Sequence, residues 1–420
     1  MGDEREYDMK KKRWILIVVA VLAVVLIAGG IVLRVMSVTY TIDESLIKKN
    51  PDYNVYVEMR NGYKTLVKKD ASGNILDEDF KVIGFTDTHL DAKKEKGDVT
   101  MEYIIRNIVN EKPDLVVFVG DNITSGLNKP RVKQLCKTLE KLGVYWTCVL
   151  GNHEGDNIWS VSRKRMVKIF ESYPHCLIES GTKKTLSGEK VWGNGNHVIN
   201  LADSKGNITR SLFFIDGGGY MTEEDMIKYD AEFDDKDHND YDYVKESQIK
   251  WYEETAADIS DKNGKAVKSA IFDHIALPEY KTAYDELAGE TEVPQNVPEY
   301  NKKNANGDYV IMGQRREVIC NSGHNSGFFD AILRTGTTDL FVCGHDHIND
   351  FVLSWKGVVL SYNVPSGYSS YNLYTKKMSD KLIRGYTRYT FRTDGSFVIE
   401  QVHNADLYPE AQDEIKKLYD

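Results

Sequence analysis

The chain has 420 residues, 41% hydrophobic and 28% charged, and carries a formal charge of -10 from 54 Lys and Arg against 64 Asp and Glu. This composition excludes a disordered chain, which needs low hydrophobicity with high net charge, and the acidic balance excludes a broad basic face for nucleic-acid phosphates. Nine prolines and the lack of any Pro- or Ser-rich tract argue for one or two compact units rather than domains strung on linkers.

The first element is apolar. Lys10, Lys11, Lys12 and Arg13 precede an unbroken run from Trp14 to Leu33, closed by Arg34. A helix of that length reaches roughly 30 Å, the thickness of a bilayer's hydrocarbon core. The run ends on the bulky residues Ile31-Val32-Leu33 and Val35-Met36, where a cleavage site would need small residues. The expectation is an uncleaved signal anchor over residues 14–34 at the cell membrane, with a cytoplasmic tail at 1–13 and an extracytoplasmic remainder by the positive-inside rule. Residues 35–79 read as a stalk merging into β-structure: Tyr53 to Met59 alternates, and Arg60-Asn61-Gly62 and Ala71-Ser72-Gly73-Asn74 are turn signals.

From Phe80, which opens a domain expected to run to residue 420, short apolar runs alternate with helix-like stretches, the pattern of an α/β protein with buried strands. Met101 to Asn110 places Met101, Ile104, Ile105 and Ile108 on one face, and Val132 to Leu142 repeats at Leu135, Leu139 and Leu142. Near the C-terminus, Gly385 to Thr393, Asp394-Gly395 and Ser396 to Val402 predict a β-hairpin. Of the five cysteines, Cys148 and Cys343 lie in apolar runs and read as core, while one disulfide among Cys136, Cys176 and Cys320 stays open.

The ends of the apolar runs carry the chemistry. Phe80 to Phe85 leads into Thr86-Asp87-Thr88-His89, Leu115 to Val119 into Gly120-Asp121-Asn122, and Val144 to Leu150 into Gly151-Asn152-His153-Glu154. Ser269 to Phe272 leads into Asp273-His274, and Leu340 to Cys343 into Gly344-His345-Asp346-His347. In α/β sheets the carboxyl ends of strands share one edge, so residues far apart in sequence converge there. Asp, His and Asn are oxygen and imidazole donors suited to Mn, Fe, Zn or Co rather than to a thiolate-selective metal. Each segment alone is weak, but five in order, each after an apolar strand, are not independent accidents.

This ordered set resembles the calcineurin-like metallophosphoesterase superfamily from Phe80 to about Val402. Gly344-His345-Asp346-His347-Ile348-Asn349-Asp350-Phe351, Asn325-Ser326-Gly327-Phe328-Phe329 and Tyr241-Asp242-Tyr243 are similar to the branch related to purple acid phosphatases that carries Asp-x-His in its first motif. Purple members place a Tyr after the second motif; Asn122-Ile123-Thr124 stands here, which speaks against a purple ferric centre. The resemblance implies a four-layer α/β/β/α sandwich and two divalent or trivalent metal ions. One would be held by Asp87, His89, Asp121 and His347, and the other by Asp121, Asn152, His274 and His345, with Asp121 as the bridge. A shared anionic ligand also makes physical sense, because two cations about 3.5 to 4 Å apart repel and can share an acidified water. By the same resemblance His153 points at the leaving group as its proton donor.

Among the remaining histidines, His197 and His324 are the candidates for facing the pocket, whereas His175 and His403 lack clustered partners and read as surface or satisfied core. The run Asp234 to Asp240 lacks the loop Gly and terminal Glu of an EF-hand and reads as a solvated loop. The segments Gly181 to Asn196 and Ala276 to Asn321 are the expected determinants of specificity, the second also as a lid or an ordinary surface loop. The function expected is a membrane-anchored hydrolase of phosphate mono- or diesters that works by attack of a metal-bridging hydroxide on a phosphorylated small molecule or phosphoprotein. The alternatives are a catalytically silent phosphate- or partner-binding module on the same scaffold, or a nuclease of the same superfamily; the acidic balance and outward location argue against nucleic acid.

Overall fold

The computed structural model describes residues 2–36, 39–90, 94–231, 240–289 and 298–420. The acidic run as far as residue 239, and residues 290–297 of the Ala276–Asn321 insertion, lie outside the described residues.

Helix α1 (Gly2–Met36) contains the apolar run; its stretch Met9–Val32 is long and apolar enough to cross a membrane, and none of it is buried against protein. Residues 40–79, expected as a stalk merging into β-structure, pack onto the body. Tyr40 is buried, and the hairpin β1 (Val55–Arg60) and β2 (Tyr63–Lys68) turns through Asn61 at positive φ and forms one edge of the larger sheet.

The next elements alternate: β3 (Phe80–Phe85), α2 (Lys94–Glu111), β4 (Leu115–Val119), α3 (Lys129–Leu142), β5 (Trp146–Val149) and α4 (Arg163–Glu171). Strands β6 (His197–Ala202) and β7 (Ile208–Phe214) precede helices α5 (Glu223–Tyr229) and α6 (Glu246–Asn263). There follow β8 (Lys268–Phe272), α7 (Pro278–Ala288), β9 (Tyr309–Met312), α8 (Phe328–Thr335) and β10 (Thr338–Cys343). Then come β11 (Val352–Trp355), β12 (Val358–Tyr362) and the predicted hairpin β13 (Gly385–Phe391) and β14 (Phe397–His403), and the chain closes with two short helices, α9 (Asn404–Leu407) and α10 (Gln412–Lys416).

These strands form two sheets, a nine-stranded one ordered β1-β2-β6-β7-β8-β10-β12-β11-β9 and a five-stranded one ordered β14-β13-β3-β4-β5. The central strands are apolar on both faces because both faces are covered. Along β4, Leu115, Val117 and Val119 meet the other sheet, while Val116 and Phe118 meet helices; along β10, Leu340 and Val342 face inward and Phe341 and Cys343 face outward. Met101, Ile104 and Ile108 of α2, Leu135 and Leu139 of α3 and Phe170 of α4 cover the five-stranded sheet. Trp251 and Tyr252 of α6, Tyr280 of α7 and Phe328 of α8 cover the nine-stranded one. The architecture is the expected α/β/β/α sandwich.

None of the five cysteines forms a disulfide: Cys136, Cys148, Cys176 and Cys343 are buried and Cys320 is partly exposed. Burial pushes the Cys136, Cys148, Cys176 and Cys343 thiols well up, which holds them protonated and inert.

Candidate metal centre

Strands β3, β4 and β5 run parallel in one sheet and β8 and β10 in the other, so their carboxyl ends open on the same edge. Donor atoms of Asp87, His89, Asp121 and His347 lie within 4.8 Å of one another, as do those of Asp121, His274 and His345, and Asp121 belongs to both groups. Asn152 joins the second group, its Oδ1 standing 3.2 Å from His274 Nε2. All seven residues expected to hold metal are therefore in one place.

The local backbone is strained to achieve this. Asp87, His89, Asp121 and His345 all have positive φ, at 50°, 40°, 48° and 78°, a region that costs a non-glycine residue about 1 kcal/mol or more. The adjoining glycines let the loops come together: a Cβ on Gly151 would collide with the Asp121 carboxylate, and one on Gly344 with Thr86 Oγ1. Backbone hydrogen bonds lock the first two loops, His89 N–H donating to Asp121 O at 2.9 Å and Leu90 N–H to Asn122 O at 3.0 Å.

In Asp87, Asp121, His274 and Asn152 one edge is already engaged, which aims the other. Asp87 Oδ2 accepts from Thr86 Oγ1 at 2.8 Å and from His345 N–H at 2.9 Å; Asp121 Oδ1 accepts from His153 N–H at 2.9 Å. His274 Nδ1 donates to Val119 O at 2.8 Å, which turns Nε2 towards Asp121 Oδ2 at 3.3 Å. Asn152 Nδ2 donates to Tyr220 Oη at 3.0 Å, presenting Oδ1 inward. What remains is a group of buried atoms without hydrogen-bond partners: Asp87 Oδ1, Asp121 Oδ2 and His345 Nε2. His89 Nε2 and His347 Nε2 face each other at 3.1 Å, and Asp87 Oδ1 lies 3.5 Å from His347 Nε2. Burial alone would push both carboxyls up; the imidazoles of His347 and His89 around Asp87, and of His274 around Asp121, reverse it and hold both well below the usual range. Two buried anions with unsatisfied oxygens among imidazole nitrogens are suited to two shared cations.

His153 adjoins this cluster without entering it. Its ring lies 5.7 Å from that of His89, and Nδ1 is bonded to Asp156 Oδ2 at 2.5 Å. Burial pulls its pKa down, but the Asp121 charge and the Asp156 hydrogen bond outweigh it and push it up to about 9.

The pocket candidates are corrected. His197 is fully buried, bonded to Thr147 Oγ1 at 2.7 Å and to Gly195 O at 2.6 Å and stacked on Phe214, so it is a core residue and burial lowers its pKa to about 3. His324 stacks on Tyr229 at 3.6 Å, away from the donors, in the wall of an open depression shared with Tyr243 and Lys245. His175 pairs with Glu140 at 2.6 Å, and His403 lies 3.9 Å from Asp350.

Three supports escaped the sequence reading. The buried Glu154 carboxylate accepts from the N–H groups of Asp121 at 3.0 Å, Ile123 at 3.1 Å, Gly151 at 2.5 Å and also Asn122, fastening the β4 loop to the β5 loop. Its place in the Gly151-Asn152-His153-Glu154 motif was the available signal. Arg163 bonds Gly151 O and Asp216, and the buried Arg384 donates to His347 O at 2.8 Å and to Tyr371 O; nothing local in sequence marks either.

Residues 80–349 match the calcineurin-like phosphoesterase family. The chain belongs to that family. Among curated proteins, it is 27% identical over 323 residues to an Arabidopsis thaliana protein named probable inactive purple acid phosphatase 14, covering 70% of this chain and 71% of the relative. It is 28% identical over 286 residues to probable inactive purple acid phosphatase 29 of the same plant, covering 65% and 64%. It is 25% identical over 293 residues to phosphatase DCR2 of Saccharomyces cerevisiae, covering 65% of this chain and 45% of the yeast protein. Among solved structures, a dimetal phosphatase from Danio rerio aligns over 78% of this chain and 98% of its own, with 12% identity and a TM-score of 0.46.

Proposed function

We propose that this calcineurin-like phosphoesterase is a membrane-anchored, outward-facing hydrolase of phosphate monoesters or diesters that uses two metal ions drawn from Mn, Fe, Zn and Co. The observation that carries the reading is the gathered donor set, with one buried oxygen each of Asp87 (Oδ1) and Asp121 (Oδ2) left without a hydrogen bond. Asp87, His89, Asp121, Asn152, His274, His345 and His347 would hold the two cations, which would supply an activated water and neutralise charge on the phosphoryl oxygens. The chain's own groups do the rest. Asp87 and Asp121 stay anionic across the neutral range, and Glu154 holds the bridging loop from behind. His153, raised by Asp121 and Asp156, carries a proton at neutral pH and offers it from Nε2 to the departing oxygen. Helix α1, preceded by Lys10 to Arg13, supports the anchor and its orientation.

The test is metal loading followed by hydrolysis of generic aryl phosphate mono- and diesters. Two ions bound per chain with turnover of either ester class is the expected outcome, and loaded protein without turnover refutes the assignment. The two plant relatives, named as probably inactive phosphatases, keep a silent binding module as the second reading; binding of less than about one metal ion per chain after reconstitution would favour it.

A further inference from the structure

The loop that follows His153 is unusual for an acidic protein. Between Asp156 and α4 it exposes Ile158 and Trp159, at 87% and 67% of their surface. The loop is nonetheless ordered: Leu127 N–H donates to Trp159 O at 3.1 Å, Trp159 N–H to Asn157 Oδ1 at 2.9 Å and Val161 N–H to Asn128 Oδ1 at 2.9 Å. A hydrogen-bonded backbone thus holds two adjacent large apolar side chains out into water, a feature that marks interaction sites when it coincides with a polar rim.

The helices on either side supply a charge pattern. Lys129, Lys133 and Lys137 are exposed at four-residue spacing along one face of α3, and Lys164, Arg165 and Lys168 are exposed on α4, which packs beside it. None of the six has a carboxylate within ion-pairing distance among the described residues. A chain with a net charge of -10 thus turns one cationic, apolar-tipped face outward, next to the mouth of its site.

The anchor enters at the same face. Only residues 37–39 separate the end of α1 from Tyr40, a span of at most roughly 15 Å. Tyr40 is seated on α3, its N–H donating to Gln134 Oε1 at 2.7 Å and its carbonyl accepting from Gln134 Nε2 at 2.9 Å. Gln134 lies between Lys133 and Lys137 in the same helix. The tether and the cationic stripe therefore share one helix.

We propose that the α3/α4 face docks on an anionic lipid bilayer, with Ile158 and Trp159 inserted at the headgroup level and the lysines and arginine against lipid phosphates. A basic surface tipped by Trp and an aliphatic side chain is the physical signature of interfacial binding, and the short tether holds it within electrostatic range. Docking brings the His153 side of the site to the headgroup layer. The inference rests on reading α1 as a membrane anchor, and the experiment separates the two.

Full chain is reconstituted into phosphatidylcholine vesicles with or without phosphatidylglycerol, both containing a headgroup-level nitroxide lipid. Tryptophan quenching in the unaltered protein is compared with that in Trp159→Phe, and an alkaline wash reports whether α1 holds the chain. Expected is a wash-resistant chain with Trp159-dependent quenching only in anionic vesicles, lost in high salt and in the variant combining K129E, K133E, K164E and K168E. When the protein is added outside preformed anionic vesicles, binding should weaken roughly five-fold for each cation removed. The combined variant should keep its hydrolysis of a soluble aryl phosphate, showing that it folds. A wash-resistant chain with no Trp159-dependent quenching, or with equal quenching in neutral and anionic vesicles, overturns the docking. A chain removed by the wash overturns the anchor alone, and quenching on externally added vesicles then decides the docking. Shielding of Trp159 by an acidic phosphopeptide but not by vesicles assigns the face to a protein instead.

Discussion

The two sheets contribute unequally to the site. The five-stranded sheet supplies Asp87, His89, Asp121, Asn152 and His153, which include both carboxylates and the transferable proton, whereas the nine-stranded sheet supplies the imidazoles of His274, His345 and His347. Neither sheet holds a complete donor group. The site exists only while the sheets stay registered, so the apolar layer between them, far from any ligand, is part of the catalytic apparatus in a thermodynamic sense. Phe272 of the larger sheet stacks on Phe214 at 5.2 Å and meets Tyr389 of the smaller sheet edge-on at 5.9 Å, and His197 reaches across to Thr147.

The comparison breaks hardest at the bridge. Asp121→Asn removes the one anion common to both groups, and should cost about four orders of magnitude in kcat together with the second metal ion, as read by metal analysis and aryl phosphate turnover. Phe272→Ala leaves every donor in place and loosens the interface; unfolding in urea should show a loss of about 3–5 kcal/mol, with weaker metal retention. Unchanged metal affinity in that variant would mean that one sheet suffices. His153→Ala should lower kcat by roughly 10²-fold while both metal ions stay bound; loss of metal would move His153 into the donor set.

The smallest effect concerns pH. Burial lowers the pKa of His197 to about 3 from an ordinary 6.5, so between those values the unfolded chain binds the extra proton. The contribution of His197 to stability is present above about pH 6.5 and declines as the pH falls towards 3, reaching a loss of about 2 kcal/mol at pH 5. Thermal melts of His197→Gln should have a flatter pH dependence across this window than those of the unaltered protein.

Much of this was legible in the chain itself. Apolar runs ending in Asp, Asn and His marked each strand and its ligand together, because strand ends on one edge must converge, and both amphipathic helices and the C-terminal hairpin followed from periodicity. The β-structure after the anchor followed from alternation and the Arg60-Asn61-Gly62 turn, but its docking on the body did not, since Tyr40 and the β1–β2 hairpin find their partners, Gln134 and β6, far along the sequence. His197 misled for the opposite reason: a histidine beside glycines resembles a pocket residue until the second sheet covers it. Arg163 and Arg384 act through backbone carbonyls brought near only by folding, and no local pattern announces such contacts.

The unbridged thiols give the protein a built-in reporter. With four of the five cysteines sealed in the interior and only Cys320 partly accessible, a maleimide should modify one thiol in the folded state and the remaining four only as the layers separate. Cys320 itself donates its N–H to Asp346, the residue between His345 and His347, at 3.3 Å, so a dye placed there sits against the ligand-bearing turn. One labelling reaction can then follow the opening of that turn and the count of protected thiols the parting of the sheets, on the same sample and the same clock.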